Sequence, residues 1–405
     1  MIDRLDLIVI GAGPAGLSAA IASARCGLRV LVLDEFPRPG GRLLGQLHQE
    51  PDGFWWNGIK EAQQLVRQAS ENSVDIRTGV SVTALEQIGQ TGWKIWTNRG
   101  PFSAKHVLIA TGAAESACPL PGWTLPGVMS IGAAQVMTNV QRVRVGNRGV
   151  VVGMNVLSMA IVSELRLAGI ELAAIVLPPK NPLNVRASDP GDVLRSLLRF
   201  AHLAPNALFR FGASFLGNSL MQRMALKLYP RRGIRMWNTP LQLRRSAVEI
   251  VGGSCVEGVR IADIDSEGVP IPGTERLIEA DFVCIAGGLY PLAELAAVAG
   301  CPFRYAPELG GHVPAHDESM RTPLQGLYVA GNITGVESAK VAIAQGQVAG
   351  LSIAIDSGVP DSPTETELQT AMHRVKQMRR DALIQFDPDI TACRNRMYGT
   401  NDAIG

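Results

Sequence analysis

Residues 7–34 read LIVIGAGPAGLSAAIASARCGLRVLVLD: an apolar strand, the turn Gly11-Ala12-Gly13-Pro14-Ala15-Gly16, an Ala-rich helix and a second apolar strand ending on Asp34. Strand, glycine turn, helix, strand and acid in that order make a dinucleotide-binding βαβ unit. Gly11 permits the tight turn out of the strand, Gly13 lets the backbone approach a pyrophosphate, and Gly16 lets the helix pack closely on the sheet. Pro14 and Ala15 open the helix, whose free N–H groups face the phosphates. Asp34 lies roughly twenty residues beyond the glycines, where a carboxylate accepts hydrogen bonds from a ribose diol, with Glu35 as its alternative.

Composition sets limits around that unit. A chain of 405 residues, 46% hydrophobic, 18% charged and rich in Gly and Ala, suits a soluble α/β enzyme of two or three packed units. A formal net charge of +2 gives no general attraction to nucleic acid. The apolar start at 5–10 has only a strand's length and no later stretch has the continuity of a membrane span, so the expected location is cytoplasmic. Six scattered cysteines, Cys26, Cys118, Cys255, Cys284, Cys301 and Cys393, include no CxxC pair, which predicts neither a disulfide framework nor a metal site.

A second βαβ pattern opens at Gly149, with strands at 149–153 and 172–177 around a helix at 157–168, so the architecture is duplicated. Its glycines are lost: the turn reads Gly153-Met154-Asn155-Val156-Leu157-Ser158, and its second strand ends in Pro178-Pro179 instead of an acid. Asn155 and Ser158 put side chains where pyrophosphate approach and close helix packing ask for none, which favours loss of nicotinamide binding. A variant loop at 153–158 holding a second nucleotide stays open. Residues 186–245 are rich in Arg and Lys, with Asp189 and Asp192 as the acids. Apolar spacing predicts amphipathic helices around 193–203 and 216–228, readable as a solvated insertion, a subunit-docking surface or, less favoured, a membrane-surface face. Further on, ADFVCIAGG (280–288) repeats a buried strand, GLYVAGN (326–332) returns to a nucleotide-site pattern, and helices are expected over 338–355 and 366–386, followed by irregular residues.

Taken together, GAGPAG, DEFPRPGGR, the ATGA turn at 110–113 and GLYVAGN…ESAKVAIAQG resemble the two-dinucleotide-domain flavoproteins. In that group the first βαβ unit and the GLYVAGD-like segment jointly hold FAD. Carried onto this chain, the resemblance implies contacts from Gly11, Gly13, Pro14, Ala15 and Gly16, and from Asp34 and Glu35. It adds Gly41, Arg42 and Gln46 in the loop that follows, Val82, and the turn Ala110-Thr111-Gly112. Gly331, Asn332, Ser338 and Ala339 complete the set. Asn332 stands where the family usually has Asp, and an amide can still hydrogen-bond a ribityl hydroxyl.

A closer likeness runs through LPGWTLPGVMSIGAAQVM (120–137), GGLYPLAELAAVAGC (287–301) and LGGHVPAHDESMRTPLQGLYVAGN (309–332). These are similar to the flavoprotein α-type subunits of hydrogen cyanide synthase, opine oxidases and dye-linked proline or hydroxyproline dehydrogenases, with a relation to part of sarcosine oxidase α. The resemblance covers about residues 1–360. It implies an α/β fold of two Rossmann-like, three-layer ββα dinucleotide-binding domains, the second inserted in the first, plus a helical C-terminal tail. The FAD-binding domain would take 1–115 and 280–360, the second nucleotide-binding-like domain 116–279 with the basic insertion 186–245, and the tail 361–405.

Function follows from the same likeness. It implies an FAD-binding subunit of a heteromeric amine or imino-acid dehydrogenase or oxidase. Its partners would be a second, substrate-oxidising flavoprotein subunit, with a small iron–sulfur subunit where such chemistry is needed. The family's [2Fe–2S] domain opens on a CxC pair, and here Cys393-Arg394-Asn395 is one cysteine short, so no cluster is expected in this chain. The paired cysteines of disulfide reductases would fall on Leu43 and His48, neither of which forms a disulfide. No residue stands out as catalytic. His48 reads as incidental and Cys26 and Cys284 as core filler. A stand-alone NAD(P)H-dependent FAD oxidoreductase and a non-catalytic nucleotide-binding scaffold are the alternatives.

Overall fold

The computed structural model describes residues 5–50, 52–89, 92–199 and 219–399. They form two compact units, one from Met1–Leu44, Asn57–Ala114 and Leu289–Gly405, the other from Gly45–Trp56 and Glu115–Gly288. Residues 45–56 thus group with the second unit, and the C-terminal helices with the first.

In the first unit, β1 (Leu5–Ile10), α1 (Pro14–Arg25) and β2 (Val30–Asp34) are followed by β3 (Asp75–Thr78), β4 (Val82–Ile88), β5 (Gly92–Thr97), β6 (Phe102–Ile109) and β7 (Leu327–Val329). The sheet order is β3-β2-β1-β6-β5-β4, with β7 also paired to β6. β3, β2, β1, β6 and β7 pair in parallel, whereas β4, β5 and the start of β6 form an antiparallel meander. Successive strand residues point to opposite faces. Leu7, Val9, Val30 and Val32 pack with α1 and with α2 (Ala339–Ser357), while Ile8, Ile10, Leu31 and Leu33 pack with Leu85, Trp93 and Ile95 of the meander. That is the three-layer ββα arrangement of a Rossmann-type α/β fold.

α1 and α2 approach closely because both present small residues. A Cβ on Gly346 would lie 2.1 Å from the Ala15 carbonyl oxygen, and one on Gly350 would lie 2.5 Å from that of Ala19. Two more helices, α3 (Glu365–Arg380) and α4 (Ile390–Gly399), follow. The last lies where irregular chain was expected. Its short apolar set, Ile390, Cys393 and Met397, has the 3–4 spacing of a single helix stripe and packs with Leu309 and Val313.

The second unit has its own sheet, ordered 128–130, 282–285, 148–152, 171–177, 239–251, 258–263 and 276–279, parallel in its first five strands. The basic segment supplies the helices Val185–Ser188, Pro190–Arg199 and Ser219–Leu228, and residues 200–218, which hold parts of both expected helices, lie outside the described residues. The expected helical insertion ends earlier than 245. From Ile234 the chain forms strands, because Gly233 turns it at φ +78° and the run from Thr239 pairs with 171–177 on one side and 258–263 on the other. Arg245 is buried in an ion pair with Asp263 at 3.1 Å, so it belongs to the core of this unit and not to a basic face.

Candidate functional site

The glycine turn of the first unit is built as the sequence demands. Gly11 has φ +107°, and a Cβ there would lie 2.5 Å from the Ala110 carbonyl oxygen, while one on Gly16 would lie 1.9 Å from that of Gly11. Gly13 differs. It is the N-cap of α1, with extended backbone and no side-chain cap, and a Cβ on it would meet nothing within 4 Å. The first N–H groups of α1 therefore face open space in a turn whose other two glycines are needed for closure. An uncapped helix N-terminus of this kind favours an anion, which is the need of a dinucleotide pyrophosphate.

Around this turn the first unit gathers most of the expected contact residues. Gly40 donates its N–H to the Ala12 carbonyl at 2.7 Å, and a Cβ on Gly41 would come within 3.0 Å of Gly13 Cα, so the loop after Asp34 lies against the turn. Asp34 accepts from Ala12 N at 2.6 Å and Phe36 N at 2.8 Å. Burial pushes its carboxyl up, against the pull of those two backbone donors. Its oxygens thus hold the loop in place while keeping lone pairs for a further donor. Glu35 is exposed. Arg42 Nε donates to the Ala113 carbonyl at 3.0 Å, Thr111 Oγ1 donates to that of Leu292 at 2.5 Å, and Gly112 has φ +81°. Val82 begins β4 opposite Thr97. Gln46 falls in the second unit, where its side chain accepts from Trp56 Nε1 at 3.1 Å.

The 331–338 segment joins the same unit through α1. A Cβ on Gly331 would lie 2.8 Å from that of Ala15. Gly331 N donates to Gln345 Oε1 at 2.9 Å, Asn332 Oδ1 accepts from Glu337 N at 3.2 Å, and Ser338 caps α2 just before Ala339. Sequence reasoning missed the next layer. Glu337, 5% exposed at its side chain, receives Arg379 Nε at 2.5 Å and Arg394 Nη2 at 2.6 Å, and Gln345 Nε2 at 3.4 Å. Burial would raise its carboxyl, and the Arg394 and Arg379 charges and hydrogen bonds more than offset that and hold it below the ordinary range. The sequence offers one signal of this layer, an Arg beside Cys393 in a tail that reads as irregular.

The second unit's turn is capped by its own side chains. Asn155 Oδ1 accepts from Ser158 N at 2.9 Å, Ser158 Oγ accepts from Asn155 N at 2.9 Å, and Asn155 Nδ2 donates to the Ala286 carbonyl at 3.1 Å. This capping box satisfies two of the donors that a phosphate could otherwise take, those of Asn155 and Ser158. Asn155→Ala is expected to cost about 1 kcal/mol in urea unfolding; an unchanged unfolding curve would show that the box does not hold this turn.

Glu164, buried in the same unit, accepts from Leu47 N, Gln135 Nε2 and Asn139 Nδ2 at 3.1, 2.8 and 2.8 Å. Burial pushes its carboxyl from 4.5 up to about 7, against the pull of these donors. The folded state therefore binds more protons than the unfolded chain between those values, and stability falls as pH rises through that window. Unfolding free energies from urea curves should differ between pH 5 and pH 8 by on the order of 2–3 kcal/mol more in the parent than in Glu164→Gln. An equal pH dependence in both would refute the reading.

Among the described residues no group of His, Cys, Asp and Glu is arranged to hold a metal. Cys393 is buried in the apolar cluster of Ile390 and Met397, and burial pushes its thiol up. Cys284, wholly buried, is shifted the same way, and His48 stacks on Trp56 with ring centroids 6.2 Å apart. Among the described residues no helix is long and apolar enough to cross a membrane.

The chain resembles known proteins along most of its length. Residues 5–189 match the pyridine nucleotide-disulphide oxidoreductase family. The A-subunit of opine oxidase from Agrobacterium tumefaciens is 31% identical over 389 residues, covering 93% of this chain and 70% of the relative. The hydrogen cyanide synthase subunit HcnB of Pseudomonas aeruginosa is 27% identical, covering 86% and 71%. By structure, L-proline dehydrogenase from P. horikoshii superimposes with a TM-score of 0.65 at 20% identity, covering 92% of this chain and 59% of that one. T. acidophilum thioredoxin reductase gives 0.60 at 24% identity, covering 87% and 99%. Both structural likenesses speak for the fold. With an open dinucleotide turn in a Rossmann-type sheet and a relative matched along most of its length, the chain belongs to the family of opine oxidase A-subunits, among the FAD-dependent oxidoreductases.

Proposed function

We propose that this chain is the FAD-holding subunit of a heteromeric dehydrogenase or oxidase acting on an amine, imino acid or opine, of the proline, hydroxyproline, opine or glycine type. The observation that carries this reading is the contrast between the two turns: the N-terminus of α1 is uncapped beside the bare Gly13, and the helix Val156–Leu167 is closed by its own Asn155 and Ser158. The first turn thus presents bare backbone where a pyrophosphate would approach, and the second presents the Asn155 and Ser158 side chains, which supports a single dinucleotide site in the first unit. Bound FAD would supply the two-electron chemistry, while the protein binds and orients it.

The turn 11–16 and the 331–332 turn would take the pyrophosphate and ribityl chain, Asp34 the ribose, and Ser338 and Ala339 the ring end. Gly41, Arg42, Val82, Thr111 and Gly112 would close the pocket from the first unit. Relatives named as subunits support a heteromer. In it a second flavoprotein subunit oxidises the substrate, and an iron–sulfur subunit carries electrons onward where one is needed.

Native purification, with identification of co-purifying subunits and released cofactors, tests this. The expected result is FAD on this chain, co-purification of a second flavoprotein subunit, and no amine oxidation by the chain alone. Anaerobic NADH or NADPH should leave the flavin band of the isolated chain unbleached. Rapid bleaching would replace this reading with that of a nicotinamide-dependent flavin reductase.

A further inference from the structure

The buried ionic cluster of the first unit does not balance. Glu337 is one carboxylate, and it receives two guanidinium groups, Arg379 and Arg394, which are 8% and 1% exposed. Among the described residues the other groups against Arg394 supply no carboxylate. Its Nη1 donates to the Tyr398 hydroxyl at 3.2 Å and its Nη2 to Thr334 Oγ1 at 3.2 Å. His316, whose Nε2 lies 3.5 Å from the Tyr398 hydroxyl, is held neutral: burial and the nearby Arg394 charge drive its imidazole down to about 3. Arg394 Nε is buried with no hydrogen-bond partner among the described residues. Among the described residues the cluster therefore keeps one positive charge in excess and one donor without an acceptor.

Its position gives that excess a use. Thr334, the acceptor of Arg394, itself donates to the Gly331 carbonyl at 2.9 Å, and Gln345 links Glu337 to Gly331 N. Glu337 directly precedes Ser338, the cap of α2. The charge thus sits on the back of the 331–338 segment, whose front would face the flavin. At an effective dielectric of about 20, a unit charge moves an equilibrium tenfold or more over any separation up to about 12 Å.

We infer that Arg394, with Arg379 and Glu337, is a positioning residue that sets the redox poise of the bound flavin, its net positive charge favouring the reduced ring in its anionic form. The balance is two electrons and one proton taken up by the oxidised ring, one negative charge gained, with the electrons supplied by the amine-type substrate or, in the test, by a chemical reductant. The inference rests on the reading that FAD occupies the first unit.

Potentiometric titration of the purified flavin-loaded chain, with dithionite as reductant and an indicator dye as reference, separates poise from mere structure. Arg394→Met should lower the midpoint by about 30 mV or more, a tenfold fall in the reduction equilibrium constant for a two-electron couple. Arg394→Lys keeps the charge and should stay within about 15 mV of the parent. Glu337→Gln should move the midpoint the opposite way, upward. Should Arg394→Met not fold, Arg379→Met, which acts on the same carboxylate, carries the same expected sign. A loosened site would shift both Arg394→Met and Glu337→Gln in one direction, and that outcome, or no shift in either, overturns the inference while leaving FAD binding intact. A parent chain that binds no FAD overturns both readings, and it does so before any potential is measured.

Discussion

Gly13→Val should give a folded chain that carries no FAD, whereas Gly16→Val should fail to assemble the first unit at all. The two glycines lie three residues apart in one turn, yet their surroundings differ. A side chain on Gly16 would be driven into the Gly11 carbonyl oxygen at 1.9 Å and would press on Val9 at 3.1 Å, with backbone that has nowhere to go. Overpacking of this kind costs roughly 3 kcal/mol or more, and here it opens the joint between β1 and α1. Gly13 has φ −77° and no neighbour within 4 Å of a Cβ, so a branched side chain can start there without meeting the protein's own backbone. What it does fill is the space in front of the α1 N–H groups. Flavin absorbance after desalting, read beside a urea unfolding curve, checks both. Retained flavin in Gly13→Val would place the cofactor elsewhere.

Glu337→Ala should cost about 3–5 kcal/mol, because removing one partner of a buried ion pair strands the other, and here it strands two. The effect should appear as a lower urea midpoint and as faster proteolysis in the 381–389 stretch between α3 and α4, since Arg379 and Arg394 fasten those helices to Glu337. Replacing all three groups by apolar residues, Glu337→Leu with Arg379→Met and Arg394→Met, should recover most of the loss, as burying charge is itself expensive. If the single variant is as stable as the parent, the cluster does not hold the tail.

The first βαβ unit and its counterpart at 149–177 were legible in the sequence because each of their constraints is local: an apolar run, a turn that admits only glycine, a helix, and a second run in register. The loss of glycines at Asn155 and Ser158 could be read for the same reason, although the capping box they form needed coordinates. What escaped was non-local. Glu337, Arg379 and Arg394 are separated by 42 and 57 residues along the chain, and nothing in their spacing announces that they meet in the interior. The small-residue seam of Gly346 and Gly350 against Ala15 and Ala19 is likewise a property of two helices from opposite ends of the sequence. The helix Ile390–Gly399 escaped because its buried stripe is only three residues long.

That seam has a consequence for how the protein is made. Ser23 donates to the Gly350 carbonyl across 327 positions of sequence, and at a translation rate of roughly 5–20 residues per second the first helix waits on the order of half a minute for its partner to leave the ribosome. Residues 115–288 are all synthesised in that interval and can complete their own sheet. The N-terminal strand–helix–strand is meanwhile left with an uncovered small-residue face, a natural client for a chaperone. Cofactor loading would then be the closing act of biogenesis, and a ribosome stalled near residue 330, with the strand 282–285 clear of the exit tunnel and the helix from Ala339 not yet made, should hold a nascent chain with a folded second unit and no flavin.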